Sequence, residues 1–399
     1  MRPRLLFISN LFPDAAEPYR GLDNATILHQ LRSKWEIRVI SPRPMLAAWK
    51  GAQQVNLAPR DIDRCFAPVY VPVRYVPKVG GLFNHQLMLQ ALRRPVAELQ
   101  VAFSSRVILA SWLFPDGWAA SRLASALSVP GVLIAQGSDV HRYLHSSFRK
   151  RSILDAVAST HATITRSRSL GTTLVSAGAA SSKIHPVHNG VDLSVFRGGD
   201  FEEARRLCRV SLQEKLLFFA GNLLPVKNPD LLLQAFSLLV RRWQGPPLRL
   251  ALAGKGPLRA SLDAQASQLG NSAQVTFLGP LAAAEIAQWM RAADVFCMSS
   301  LNEGLPNVIL EAMASGLPVV STDVGGIHEI IDAPWKGKLV PSGDSVALAT
   351  GLREILEDPP SRQALADYGA GLSWETTATA YHAILQGALS AAPGDPSLI

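Results

Sequence analysis

Short, largely apolar, strand-like runs alternate along the chain with segments whose apolar residues recur every three to four positions. The runs fall at residues 5–9, 37–40, 107–109, 132–135, 162–165, 216–220, 248–253, 275–278, 295–298 and 318–321. They are short and mostly apolar without a strict alternation, which marks strands buried on both faces. Segments 25–33, 119–127, 229–242, 258–269, 283–292 and 346–356 read as amphipathic helices. Strands alternating with helices predict an α/β protein with parallel sheets covered by helices. A break at 186–200, with the turn formers Asn189-Gly190 and Gly198-Gly199, places a linker there. The expected organisation is two doubly wound parallel-sheet domains, 1–195 and 196–374. Their strand carboxyl ends, where ligands bind in such sheets, would line a cleft. The last helical pattern, 375–391, is expected to pack back on the first domain, and no heptad array or solenoid repeat is present.

A chain of 399 residues that is 48% hydrophobic has ample material for two cores. No apolar stretch approaches 18 residues, so no membrane span is predicted. The opening Arg2 and Arg4 followed by the run 5–9 fit a first buried strand better than a signal segment. Cys65, Cys208 and Cys297 are far apart and lack metal-ligand spacing. Cys297 falls inside the run 295–298 and reads as core; the expectation is a cytoplasmic, disulfide-free protein.

Charge changes the picture. Residues 1–195 carry 23 Lys and Arg against 11 Asp and Glu, and the remainder 16 against 20. The basic half would meet an anionic partner, a membrane leaflet or a lipid-diphosphate carrier, unless it is simply a well-solvated surface. Nucleic acid is disfavoured because no recognition motif or aromatic-basic interleaving occurs. Segment 81–94 could form an amphipathic helix offering Leu82, Phe83 and Leu89 to lipid, with Arg93 and Arg94 at its end. That would attach the protein peripherally to the inner face of the cytoplasmic membrane. The bland alternative packs the same helix on a sheet.

The chemistry concentrates in Ser299–Glu311. A strand-like run leads into a loop carrying Glu303, Gly304 and Pro306, and then into a helix carrying Glu311. A helix start attracts phosphate through its unpaired N–H groups and its dipole. Glu303 would repel phosphate but suits a hydroxyl-rich group beside it, so the pair of features suggests a nucleotide-sugar. After the run 216–220, Lys227 stands just ahead of Asn228, a candidate N-cap, and of Pro229 and Asp230 in a first helical turn. A cation beside free amides there suits a diphosphate. Gly254 and Gly256 allow a close approach of backbone to a ligand or form a tight turn. Gly325 and Gly326 mark another loop at a strand end, with Glu329 beyond it. In the first half, Asn10 to Arg20-Gly21 follows the first strand, while Asp116, Asp139 and His141 follow later ones. Asp61 and Asp63 resemble a divalent-metal pair but read as surface loop, and no other metal cluster is legible.

Together Glu303 to Glu311, Gly304, Pro306, Ala312-Met313-Ala314 and Gly316-x-Pro318-Val319-Val320 resemble the signature of the retaining glycosyltransferase family 4, which has the GT-B fold of two Rossmann-like domains. The Gly221…Lys227 loop, Gly254-x-Gly256-Pro257, His188-Asn-Gly-Val-Asp192, Phe12-Pro13, Arg20-Gly21, Pro115-Asp116-Gly117 and Gly137-Ser-Asp139 match it in order. The resemblance implies a metal-independent hexosyltransferase with no cofactor beyond a nucleoside-diphosphate sugar as co-substrate. Its acceptor would be a glycan, lipid-linked or small-molecule hydroxyl, in bacterial envelope or exopolysaccharide synthesis. Lys227 and Glu303 would be the catalytic pair. Donor contacts would come from Gly21, Asn222, Lys227, Gly254, Leu278, Glu303, Gly304, Leu305, Pro306, Asn307, Val308 and Glu311, with Glu311 accepting from the ribose. Asp116, Gln136, Asp139 and His141 would lie on the acceptor side.

This sequence departs from the family at two positions. Asn222 stands where arginine is common, and Gln136 where histidine is common, so the histidine's role is not carried over. Competing readings are a GT-B nucleotide-sugar epimerase, a non-catalytic nucleotide-sugar-binding protein and an NAD-dependent dehydrogenase. The last lacks its Gly-x-Gly-x-x-Gly loop after the first strand.

Overall fold

The computed structural model describes residues 2–14, 17, 20–44, 65–74 and 83–391. The chain divides into two compact units, Met1–His188 with Thr377–Ile399, and Asn189–Thr376.

The first unit is built on a seven-stranded sheet: β1 (Arg4–Ile8), β2 (Glu36–Pro44), β3 (Val69–Val73), β4 (Val107–Ser111), β5 (Gly131–Ala135), β6 (Ala162–Thr165) and β7 (Ile184–Pro186). The order is β3-β2-β1-β4-β5-β6-β7, and every neighbouring pair is parallel. Leu5, Leu6, Phe7 and Ile8 of β1 have no solvent exposure, as the continuous apolar run requires. Burying each such side chain contributes about 1.5–3 kcal/mol. Leu6, Ile8, Ile108 and Leu133 meet Met88, Leu92 and Val96 from helix Asn84–Phe103. That helix begins in the segment considered for a lipid surface. Its buried side packs in this core, while Phe83 just ahead of it is exposed and Leu89 half-buried. Helix Trp374–Ser390 contributes Tyr381 and Leu385 to the buried residues, and Trp35 Nε1 donates to His382 Nδ1 at 3.0 Å.

The second unit carries a six-stranded sheet: β8 (Lys215–Ala220), β9 (Leu248–Ala253), β10 (Val275–Gly279), β11 (Val295–Met298), β12 (Val319–Thr322) and β13 (Gly337–Val340). It is again wholly parallel, in the order β10-β9-β8-β11-β12-β13. Side chains alternate across each strand, so β8 feeds two cores. Phe218 packs with Phe296, Ile309, Leu310 and Met313. Leu217 and Phe219 pack with Leu232, Phe236, Leu250 and Leu352. Cys297 is fully buried in the second of these.

Three strands were not among the runs expected from the sequence. β3, β7 and β13 lie at sheet edges, where one side is open to water and where proline is tolerated. Pro72 sits in β3 and Pro186 ends β7. The cut expected at 195/196 falls instead at 188/189. The Asn189-Gly190 turn is a packing element of the second unit. Val191 N donates to Leu372 O at 2.7 Å, and a Cβ on Gly190 would lie 2.2 Å from Trp374 N. Among the described residues no helix is long and apolar enough to cross a membrane. Asp61 and Asp63 lie outside the described residues.

Candidate functional site

In the second sheet the strand order reverses between β8 and β11. Loops leaving the carboxyl ends of two such strands diverge and leave a crevice, the usual ligand site of a doubly wound sheet. Lys227 is on the loop after β8 and Glu303 on the loop after β11. They meet across this point, with Lys227 Nζ 2.5 Å from Glu303 Oε1. Ser300 Oγ donates to the same oxygen at 2.7 Å. Both side chains are largely buried, at 24% and 10% exposure, so the contact is a charge-assisted bond in a partly dry setting. An ammonium has three N–H donors, and two of them stay available for a further anion.

Main-chain contacts hold the two loops. Ser299 Oγ donates to the carbonyls of Lys227 (3.0 Å) and Asn228 (2.8 Å), and Leu301 N donates to Val226 O at 2.8 Å. Thr322 Oγ1 donates to Ser300 O at 2.7 Å, tying in the end of β12. The expected side-chain cap by Asn228 is not made. Asn228 adopts a left-handed backbone (φ 47°, ψ 50°), which asparagine tolerates. It thereby turns the chain from the 3-10 turn Pro225–Lys227 into helix Pro229–Arg242.

The glycines serve the same packing. A Cβ on Gly254 would lie 1.9 Å from Gly221 O, and one on Gly256 2.2 Å from Leu223 O. The close approach at these two positions is between the loops after β8 and β9. Gly325 (φ +61°) presses on the Glu303 loop itself, since its Cβ would lie 1.9 Å from Glu303 O, and Gly326 N donates to Gly304 O at 2.6 Å. Gly304 is half-buried, whereas Leu305 and Pro306 are buried at the start of helix Asn307–Ala314. Asn307 Oδ1 accepts from Asn189 Nδ2 at 2.8 Å, and Val308 is half-buried. Asn222 is exposed, and Leu278 lies half-buried near the end of β10. Sequence reasoning missed Ser300 and the Gly325–Gly304 contact. The hydroxyl had no distinguishing neighbour in the sequence, and the contact joins loops of two different strands.

Glu311 lies one turn into helix Asn307–Ala314 and partly reaches the surface. No described residue donates to its carboxylate, and desolvation pushes its pKa up from 4.5 to about 7. The folded state thus holds a proton that the unfolded chain releases near 4.5. The stability from this proton is full below 4.5 and is lost as pH rises to about 7. Glu311→Gln, which carries no charge to desolvate, should raise Tm by about 2–4 °C at pH 8. It should leave Tm unchanged at pH 4; equal shifts at both values, read by differential scanning calorimetry, would refute the assignment.

In the first unit the strand order reverses between β1 and β4, and the following loops meet there too. Asp116 accepts from Asn10 N (2.5 Å) and Asn10 Nδ2 (2.7 Å), and full burial pushes its pKa up to about 6. Asp139 is equally buried and accepts from the N–H groups of Leu113 (2.8 Å), Gln136 (3.0 Å) and Gly137 (2.8 Å). Both carboxylates are occupied in shaping their loops. The Gln136 amide lies 2.6 Å from Ser111 Oγ and 2.9 Å from Asn24 Oδ1, beside the buried Arg166. His141 is half-buried, its Nε2 has no partner, and burial lowers its pKa. Gly21 has φ +60°, and a Cβ there would lie 2.2 Å from Leu11 O. The position therefore requires glycine for the fold of the loop.

Residues 200–371 match the profile of the family described as Glycosyl transferases group 1. The D-inositol 3-phosphate glycosyltransferase of Corynebacterium urealyticum is 37% identical over 210 residues, 49% of each chain. D-inositol 3-phosphate glycosyltransferase 1 of Catenulispora acidiphila is 33% identical over 230 residues, 55% of each chain. The chain thus spans about half the length of the curated relatives it matches. Among solved structures, HepE of Anabaena in complex with UDP superimposes with a TM-score of 0.74 at 20% identity, over 97% of this chain and 100% of that one. The sucrose-phosphate synthase of Thermosynechococcus elongatus gives 0.77 at 18% identity, over 98% and 100%. These likenesses show the fold, GT-B with two parallel-sheet α/β units.

Proposed function

We propose that the chain is a retaining, metal-independent glycosyltransferase that takes its sugar from a nucleoside diphosphate. The reading rests on the Lys227–Glu303 contact across the reversal point of the second sheet. The family match over 200–371 supports it, as does the UDP that the HepE complex contains. The diphosphate lies against Lys227 and the start of helix Asn307–Ala314, and Glu303 accepts from sugar hydroxyls. Glu311 takes the ribose hydroxyls.

The anomeric C–O bond breaks and its electron pair leaves with the diphosphate. The acceptor oxygen forms the new C–O bond on the same face and gives its proton to a phosphate oxygen. Charge grows on the diphosphate as the bond breaks, so a fixed ammonium and fixed N–H dipoles favour the transition state over bound donor. Glu303 holds the sugar and Lys227 together, and attack on the leaving-group face needs no carboxylate nucleophile.

Thermal-shift screening of UDP-, GDP- and ADP-sugars tests this. One nucleotide series should raise Tm by several degrees at about 100 times its Kd. Glu303→Gln should reduce the extra shift given by the sugar while keeping that of the bare nucleotide. Absence of any shift across all three series would refute the proposal.

A further inference from the structure

The first unit contains a cavity of about 320 Å³ at the carboxyl ends of β1, β2, β3 and β4. It is not formed by the residues expected on the acceptor side. Its walls are mostly apolar, with Val73, Met88 and Trp112 joined by Pro42, Pro44 and Pro115. The ionic residues lining it are Arg20 and Arg43, and no carboxylate is among the described lining residues.

The two guanidiniums converge on one carbonyl. Arg20 Nε donates to Asn10 O at 2.8 Å and Arg43 Nη1 to the same oxygen at 2.5 Å. Arg43 is 13% exposed, pairs with Asp14 at 2.7 Å, and lies over the Tyr70 ring at 5.3 Å. Arg20 Nη1 pairs with Glu17 at 2.7 Å, a carboxylate that is 58% exposed. The pair is fixed before any ligand arrives, and its counter-charges are not on the cavity wall. Buried like charges gain from an anion that spans both.

Apart from the Tyr143 hydroxyl, and from Asn10, whose side-chain amide is engaged with Asp116 and Arg20, the rest of the wall offers little to a polyol. Hydroxyls set against Met88, Val73 and three prolines would lose their water without gaining partners, which costs more than leaving them in solvent. We infer that this cavity binds an amphiphilic anion, an apolar or aromatic body on Met88, Val73 and Trp112 with its phosphate or carboxylate on Arg20 and Arg43. Resting on the transferase reading, that molecule is the acceptor and bears the hydroxyl that receives the sugar. The class differs from the cyclitol phosphate in the names of the curated relatives.

Calorimetric titration of the full chain with 1-naphthyl phosphate, 1-naphthol, inorganic phosphate and inositol phosphate tests this. Naphthyl phosphate should bind at least about tenfold more tightly than each of the other three, since each lacks one of the two contacts. Met88→Asp and Arg20→Gln should each weaken naphthyl phosphate by about tenfold or more. Both variants should keep the parent's far-UV circular dichroism and a cooperative calorimetric melt, which shows that the first unit folds as well as the second. Tighter binding of inositol phosphate or inorganic phosphate, or naphthyl phosphate binding unchanged in both variants, overturns the inference. If naphthyl phosphate binds as expected and no nucleotide does, the cavity assignment stands and the transferase reading falls. If nucleotides bind and naphthyl phosphate does not, the cavity assignment alone falls.

Discussion

Lys227→Met is expected to lower kcat for sugar transfer by about 10²–10³-fold, with a much smaller change in the affinity for nucleotide. The reason is that charge on the leaving diphosphate is greatest in the transition state, so a cation fixed at that point acts mainly on kcat. Lys227 is fixed: its ammonium is 2.5 Å from Glu303, and its carbonyl is bonded by Ser299. The substitution also leaves Glu303, 10% exposed, with Ser300 as its remaining partner among the described residues. Losing the partner of a largely buried charge costs about 1–3 kcal/mol, so Tm should fall as well. The double variant Lys227→Met/Glu303→Gln removes the stranded charge. It should recover most of the lost Tm and none of the lost activity. Single-turnover kinetics and calorimetry on the three variants separate the two effects. A fall in kcat of less than about tenfold in Lys227→Met would remove the lysine from the mechanism.

Gly325→Ala should damage activity by about 10²-fold although residue 325 need touch no substrate. A Cβ there would lie 1.9 Å from Glu303 O and 2.9 Å from Gly304 O, while Gly326 N still donates to Gly304 O. Backbone carbonyls cannot rotate away as a side-chain end can, so the whole Glu303–Gly304 bend must move. If Glu303 holds the sugar as proposed, displacing it by about 1 Å is enough for a loss of that size. Gly343→Ala is the control. Gly343 also has positive φ (+81°), yet nothing lies within 4 Å of its added Cβ. It should show the cost of backbone strain alone, about 1–2 kcal/mol, with kcat unchanged. Equal kcat losses in the two variants would mean that contact with the bend is not the cause.

The central strands were legible in the sequence because parallel strands are buried on both faces and must be apolar at consecutive positions. The bounds of β6, β9 and β11 coincide with the runs at 162–165, 248–253 and 295–298, although β6 carries two threonines and β9 carries Arg249. Three of the four edge strands, β3, β7 and β13, were not, since an edge is half in water and accepts Pro72, Pro186 and Lys338; the fourth, β10, was read at 275–278. The loops that carry Lys227 and Glu303 were also legible, through the punctuation of glycine and proline between strand and helix.

By itself the sequence determined a two-sheet α/β chain with its polar chemistry at strand ends. Only the tertiary structure decided which of those polar groups are free to act. Asp116 and Asp139 read as candidates in the sequence, but their carboxylates close loops by accepting main-chain N–H groups. Lys227 and Glu303, with three strands between them along the chain, become partners because β8 and β11 are adjacent where the strand order reverses. Periodicity reports how each segment is buried, whereas contact between distant loops depends on the order in which strands join the sheet.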